Sequence, residues 1–515
     1  MPPTLIDITG QWQYLLAEMV LVGGGIVAMI VDLLLPRRNK SVVGYFSLAI
    51  VLAAITVVAV QMGRHVGGYL QFQYVGATGW KNTVVVDLFA QLMSLIMLVG
   101  ALFVLVMDVY DWRGRQGYEG ESYYLILFAT TGALLMANSA DLITLFIGME
   151  LLSLPSYVLA GLHRQNVKSN EAGLKYFLYG GLATAAILYG MSFLYGLSGT
   201  TDLVAMPSAI ASQLPNERLF FDIAFAFLLL GLGFKMAVVP FHMWAPDVYE
   251  GAPTPVTAYL SVVSKVAGFA MATRVLIVPF LPVVAESTTA AHTGLPLVTI
   301  LAIVAVLSML GGNAAALRQR NAKRLFAYSS IAQAGYVLVG LAAMPGQSAA
   351  TAGSMVFYLA VYALMNVGAF VTIEWVTRAA GDESLAAFAG LGRRSPWMAF
   401  AFTVCLLSLG GFPITAGFWG KFFLFSFAVN AQLSWLAYAG MVLSVISFVY
   451  YFRFIRQMYF VRPATAETLQ VDAGNTVVLA LCTVGVLFFG IVPNVLMGPA
   501  QAVGASFLSM LNAVP

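Results

Sequence analysis

What most constrains this chain is the recurrence of unbroken apolar runs, each long enough to cross about 30 Å of hydrocarbon as a helix. Lipid offers a backbone no hydrogen bonds, so only helices and closed barrels span it. Barrel strands read as alternating segments of about ten residues, not as continuous runs. The class is an all-α integral membrane protein. Composition agrees, with 60% of the residues apolar and 9% charged, against about 25% charged in an ordinary globular chain.

The runs fall near 11–35, 42–62, 84–108, 121–139, 141–163, 169–197, 220–243, 253–277, 295–317, 321–342, 350–378, 395–428, 432–460 and 474–512, which predicts about fourteen transmembrane helices. Basic residues orient them. Seventeen of the 25 stand at odd-numbered exits: Arg37, Arg38 and Lys40; Arg113 and Arg115; Arg164 and Lys168; Arg318, Arg320, Lys323 and Arg324; Arg378, Arg393 and Arg394; Arg453, Arg456 and Arg462. The opposite side holds Arg64, Lys81, Arg218 and Arg274. Odd helices are therefore expected to run toward the cytoplasm, with both termini on the outer face. The seventh exit carries Asp247 and Glu250 instead, as expected of a loop packed against protein. The N-terminus lacks the basic n-region of a cleaved signal peptide, so the first segment is expected to stay.

Several kinds of chemistry find no residues here. The 2 cysteines, Cys405 and Cys482, lie far apart in apolar stretches, which excludes a cysteine-ligated iron-sulfur cluster, and the 4 histidines show no zinc spacing. No cofactor or metal is expected in the chain. A net charge of +3 gives no reason to expect nucleic acid, and no glycine-rich dinucleotide or phosphate loop is present.

Four lysines remain inside apolar segments, Lys175, Lys235, Lys265 and Lys421, together with Glu150. At about 2.5–3.5 kcal/mol per charged group at a helix centre, five of them cost roughly 12 kcal/mol unless they pair or meet water. Glu150 is nine residues beyond Asp141, roughly 14 Å into its helix, and Lys235 is thirteen beyond Asp222, roughly 20 Å down a parallel one. Lys265 shares a helix face with Thr257, Ser261 and Gly268, beside Ser264, a small and polar stripe suited to a hydrated seam. Lys421 follows Gly410, Gly411, Pro413 and Gly417, which should interrupt the twelfth helix, as Pro240 should interrupt the seventh. Lys175 lies only about 9 Å inside and can serve as an anchor. Glu18 and Asp32 read as interfacial or partner-facing.

The two interruptions are five helices apart, and an odd repeat unit comes back upside down, as in the inverted repeats of secondary transporters. The expected division is residues 1–120 (helices 1–3), 121–280 (helices 4–8), 281–465 (an inverted copy, helices 9–13) and 466–515. An ion pair closing to 4 Å at an effective dielectric of 20 is worth about 4 kcal/mol, enough to decide whether a buried lysine keeps its proton. Glu150 is expected to hold Lys235 protonated when close. Parting them would send the proton to Lys265 and on to Lys421.

The runs "GMELLSLPSYVLAGL", "EAGLKYFLYGGLATAAILYG", "GFKMAVVPFHMWAPDVYEGAPTPVTAYLSVVSKVAGF", "KRLFAYSSIAQAGY" and "GFPITAGFWGKF" resemble the antiporter-like membrane subunits of respiratory complex I, and the likeness covers nearly the whole chain. The resemblance implies fourteen helices, two inverted five-helix repeats and a mid-membrane axis built from Glu150, Lys235, Lys265 and Lys421. Lys175 matches a lysine near the cytoplasmic side. It also implies a proton-translocating subunit of NADH:quinone oxidoreductase in a bacterial plasma membrane. Its partners would be further antiporter-like subunits, with NADH, flavin, iron-sulfur clusters and quinone handled elsewhere in the assembly. In the tenth segment Gln333 stands where related subunits often carry histidine. The competing readings are a subunit of a multisubunit sodium/proton antiporter and a non-pumping structural subunit.

Overall fold

The computed structural model describes residues 14–36, 39–66, 74–75, 83–110, 119–280, 297–463, 469 and 472–512. Arg37, Arg38, Lys81, Arg113 and Arg115 lie outside them.

The described chain is built almost wholly of helices, as backbone satisfaction in lipid demands. In order they are α1 (Leu16–Leu34), α2 (Ser41–Val66), α3 (Leu88–Tyr110), α4 (Glu119–Asn138), α5 (Leu142–Ala160), α6 (Val167–Ser198), α7 (Met206–Met236) and the short α8 (Trp244–Gly251). Then follow α9 (Thr254–Ile277), α10 (Leu297–Arg318), α11 (Ala322–Ala380), the one-turn α12 (Leu391–Arg394), α13 (Pro396–Gly410), α14 (Ala416–Asn430), α15 (Ser434–Phe460), α16 (Ala473–Ile491) and α17 (Asn494–Asn512). A two-residue antiparallel pair, Tyr74–Val75 with Val84–Val85, precedes α3.

Among the described residues, 12 spans are long and apolar enough to cross a membrane. The fourth expected segment is not one of them, since α4 opens on Glu119 and Glu121. Nor is the twelfth, which is split into α13 and α14, each of 15 residues. The last expected segment also divides, into α16 and α17. The expected domain boundary at 120/121 falls at the start of α4, while those at 280/281 and 465/466 lie at or beyond the limits of the described residues.

Helix α11 runs to 59 residues, a length of roughly 88 Å if straight, far more than a bilayer. It folds back on itself. Gln333 accepts a hydrogen bond from Tyr358, and a Cβ built on Gly340 would meet Met355 Cγ at 2.6 Å, so the stretches before and after Pro345 lie side by side as the tenth and eleventh spans.

Helix ends follow ordinary capping chemistry. Asp141 accepts from the Ile143 and Thr144 amides at 2.8 and 3.2 Å, Asn166 from Lys168 and Asn321 from Arg324, while Gly199 and Gly381 close α6 and α11 at φ 68° and 63°. At the centre stands α9, buried along its whole length and packed against α3, α4, α7 and α11. A lysine on that helix cannot snorkel to water.

Candidate functional site

Lys235 is the last residue but one of α7. That helix stops because Ala237 turns left-handed at φ 56°, closing the end through Ala237 N–H to Phe234 O and Val238 N–H to Gly233 O at 3.0 and 2.9 Å. Pro240 follows, and the chain resumes as α8, whose Trp244 indole donates to Phe234 O at 3.0 Å and stacks on Tyr176 at 4.5 Å. The carbonyls freed by the break are thus met by backbone and indole donors. The Lys235 ammonium turns elsewhere: it is 5% exposed and donates to Ser153 Oγ on α5 at 2.7 Å.

Ser153 is one turn beyond Glu150. Glu150 is half-buried, accepts from Thr184 of α6 at 2.8 Å and shares its helix face with the exposed Ile147 and Leu154. Among the described ion pairs none joins Glu150 to Lys235. The structure brings the Lys235 amine to Ser153, one turn along α5 from Glu150, while Glu150 itself meets Thr184 of α6.

Lys265 of α9 follows directly. Gly268, one turn on, lets α9 approach the Lys235 backbone closely enough that a Cβ there would lie 3.4 Å from its carbonyl carbon. The expected stripe is in use: Ser261 accepts from Asn366 at 2.6 Å and Thr257 donates to Tyr249 O at 3.1 Å. The Lys265 ammonium donates to the Ser330 carbonyl at 2.6 Å and to the Ser330 hydroxyl.

From there a run of buried polar contacts continues along α11. Ser329, beside Ser330, shares a hydrogen bond with the Tyr451 phenol at 2.5 Å, and Gln333 donates to that phenol at 3.3 Å and to Leu409 O at 3.0 Å. Leu409 O also accepts from Lys421 Nζ at 2.8 Å. Lys421 donates further to Gly410 O at 3.0 Å and Ser444 Oγ at 2.9 Å, with its ammonium 4.4 Å from the Tyr336 ring centre. The interruption of the twelfth segment therefore frees the last carbonyls of α13, and the lysine of α14 takes them up. Gly411 makes the turn at φ 89°.

Lys175 is not part of this line. It pairs with Glu171 and Asp247, each at 2.6 Å, where Arg324 bridges Asp247 and Glu250 at 2.6 and 2.9 Å and Lys168 meets Glu250 at 2.7 Å. The acidic seventh exit packs against protein as its charge implied. Burial pushes the Asp247 carboxyl up, and hydrogen bonds from Lys175 and Arg324 more than offset it, leaving the group below its ordinary value. Glu250 is lowered by the same balance, with Lys168 and Arg324 outweighing burial. An open cleft of about 620 Å³, lined in part by Lys168, Glu250, Lys323 and Glu383, lies at this end.

Sequence reasoning missed the polar residues between the charges: Ser153, Ser330, Tyr451 and Ser444. The signal for one stretch was present, since Ser329, Ser330 and Gln333 recur at helical spacing in an otherwise apolar segment.

A broken-helix membrane bundle with buried lysines on interrupted and central helices defines a class, and comparison with known proteins specifies it. Residues 139–447 match the family described as NADH:quinone oxidoreductase/Mrp antiporter, TM, and the chain belongs to that family. It is similar to NADH-quinone oxidoreductase subunit N of Bacillus anthracis, 39% identical over 496 residues covering 96% of this chain and 95% of the relative, and to the subunit N of Brevibacillus brevis, 42% identical over 490 residues covering 94% and 93%. Among solved structures it resembles a chain of respiratory complex I from Thermus thermophilus with bound Aureothin at 31% identity and TM-score 0.76, covering 94% of this chain and 98% of that one. The Mrp complex from Dietzia shares the fold at 19% identity and TM-score 0.80, covering 99% of this chain and 100% of that one. The protein is an antiporter-like, multi-pass membrane subunit of the complex I type.

Proposed function

We propose that this chain moves protons across the membrane as a subunit of the membrane arm of NADH:quinone oxidoreductase, driven by redox chemistry on other subunits. Glu150 and Lys235 form the switch, Lys265 the central station and Lys421 the far station. Lys175 tunes the charge cluster near the water-filled end and is the member least tied to the relay. The observation that carries the reading is the run of buried polar contacts between the two lysines: Lys265 on Ser330, the neighbouring Ser329 and Gln333 on the Tyr451 phenol, and Leu409 O accepting from both Gln333 and Lys421. Charged groups this deep are costly and mark proton pathways when linked by polar contacts.

The same reading assigns residues 121–280 and 281–465 as the inverted repeats, with fourteen spans, odd helices running to the cytoplasm and both termini outside a bacterial plasma membrane. NADH, flavin, iron-sulfur clusters and quinone belong to partner subunits. Glu150, half-buried on an exposed face of α5, is placed to meet a neighbouring antiporter-like subunit. Sodium/proton exchange is the second reading, favoured by the fold shared with the Mrp complex. Sodium prefers clustered carboxylate and carbonyl oxygens, whereas here Glu150 is the one carboxylate proposed for the line and the carbonyls of Ser330, Leu409 and Gly410 each accept from a lysine ammonium.

Proton flux per electron in vesicles containing the assembled complex tests this. Lys235→Ala and Glu150→Gln should each lower it, independently of sodium. Wild-type flux in both variants would remove the switch, and flux that requires sodium would favour exchange.

A further inference from the structure

A second set of buried polar groups lies where α1, α3, α4 and α9 end together, at the side of the bundle opposite Asp247. Arg274 of α9 is fully buried, donating to Asp87 Oδ1 at 2.8 Å and to Ala137 O at 3.1 Å. Asn138, the next residue of α4, donates through Nδ2 to Oε1 of Glu18 on α1. Glu18 and Asn138 are 4% and 7% exposed, so neither faces lipid or solvent, against the interfacial placement expected for Glu18.

The pairing is half complete. Glu18 Oε2 and Asn138 Oδ1 are both buried with no hydrogen-bond partner among the described residues, as are Asp87 Oδ2 and both polar atoms of Gln91 one turn along α3. An ionised Glu18 leaves two acceptors, Oε2 and Oδ1, with no donor for either. It also leaves a buried negative charge, because Arg274 is committed to Asp87 and no described ion pair includes Glu18. One proton answers the faults of Glu18 and Asn138 together. Placed on Oε2, it cancels the charge and supplies a donor, and Asn138 Oδ1, on the amide that already donates to Oε1, is the acceptor that a cyclic acid–amide pair uses: acid O–H to amide oxygen and amide N–H to acid carbonyl.

We propose that Glu18 is a further proton-binding group of this chain, held as the neutral acid in a cyclic pair with Asn138. The proton comes from water and returns to water. Arg274 stands nine residues beyond Lys265 on α9, roughly 14 Å along the helix. The acid therefore lies between the lysine level and that end of the membrane.

Infrared difference spectra of the assembled complex at about pH 7 test the proposal and do not depend on whether the lysines pump. The wild type should show the carbonyl stretch of a protonated carboxylic acid. Glu18→Gln, which preserves the ring as an amide pair, should abolish that band. Asn138→Leu, which deprives the hydroxyl of its acceptor, should move the band to higher frequency. Loss of a carboxylate band instead in Glu18→Gln, or an unmoved band in Asn138→Leu, overturns it.

Discussion

The two interrupted segments use the same device in opposite ways. At the first, a left-handed Ala237 ends α7, an indole and backbone amides serve the freed carbonyls, and Lys235 reaches to a hydroxyl on α5 beside Glu150. At the second, a left-handed Gly411 ends α13, and Lys421 itself binds the carbonyls of Leu409 and Gly410. Lys421 is thus fixed by three hydrogen bonds and an aromatic face. Lys235, held by one hydroxyl among its described partners, has an alternative acceptor one turn away. A switch needs two partners of similar strength, whereas a fixed station needs one deep well. Within the proposed relay, the difference puts the moving part at the first interruption.

The largest effect should come from the centre that joins the two. Lys265→Ala removes the station both breaks share, and flux through this chain should fall on the order of a hundredfold, the usual contribution of a placed proton donor, read as protons per electron in vesicles. Gln333→Leu cuts the run of polar contacts beyond it and leaves the Tyr358 hydroxyl unpartnered; a loss of about tenfold is expected, corresponding to one buried hydrogen bond.

Smaller effects separate the breaks. Gly411→Ala forces an alanine into φ 89° and puts a Cβ 3.2 Å from Lys421 Cδ. It should lower stability by about 1–2 kcal/mol and displace the amine. Ala237→Gly relieves the corresponding turn and should stabilise by about 1 kcal/mol. Opposite signs in thermal unfolding of the purified complex check the pair. The smallest concerns the charge cluster. Asp247 sits below its ordinary value of 3.8, so its contribution to holding α8 against α6 and α11 is complete above that pH and fades as pH falls through the lowered value. Asp247→Asn should flatten the acid limb of an unfolding-versus-pH curve.

Much of this was legible in the sequence because charge in lipid is expensive. Glu150, Lys235, Lys265 and Lys421 stand out from apolar runs, and glycine and proline marked both breaks. The polar bridges did not stand out. A serine costs little in a helix, where its hydroxyl can bond a carbonyl one turn back, so nothing in the sequence separates Ser153 or Ser444 from Ser156, which merely donates to Leu152 O. The depth of Lys421 is not readable from residue count, since the interruption before it uncouples count from height. The seating of Gly268 against Lys235 is a matter of packing between distant segments.

The switch itself is tested most directly by a double-mutant cycle on proton flux, comparing Glu150→Gln, Lys235→Ala and the two combined. If the pair acts as one device, the double variant moves no fewer protons than the worse single one. Losses that multiply would show two groups working separately, and the account of a Glu150/Lys235 switch would be wrong.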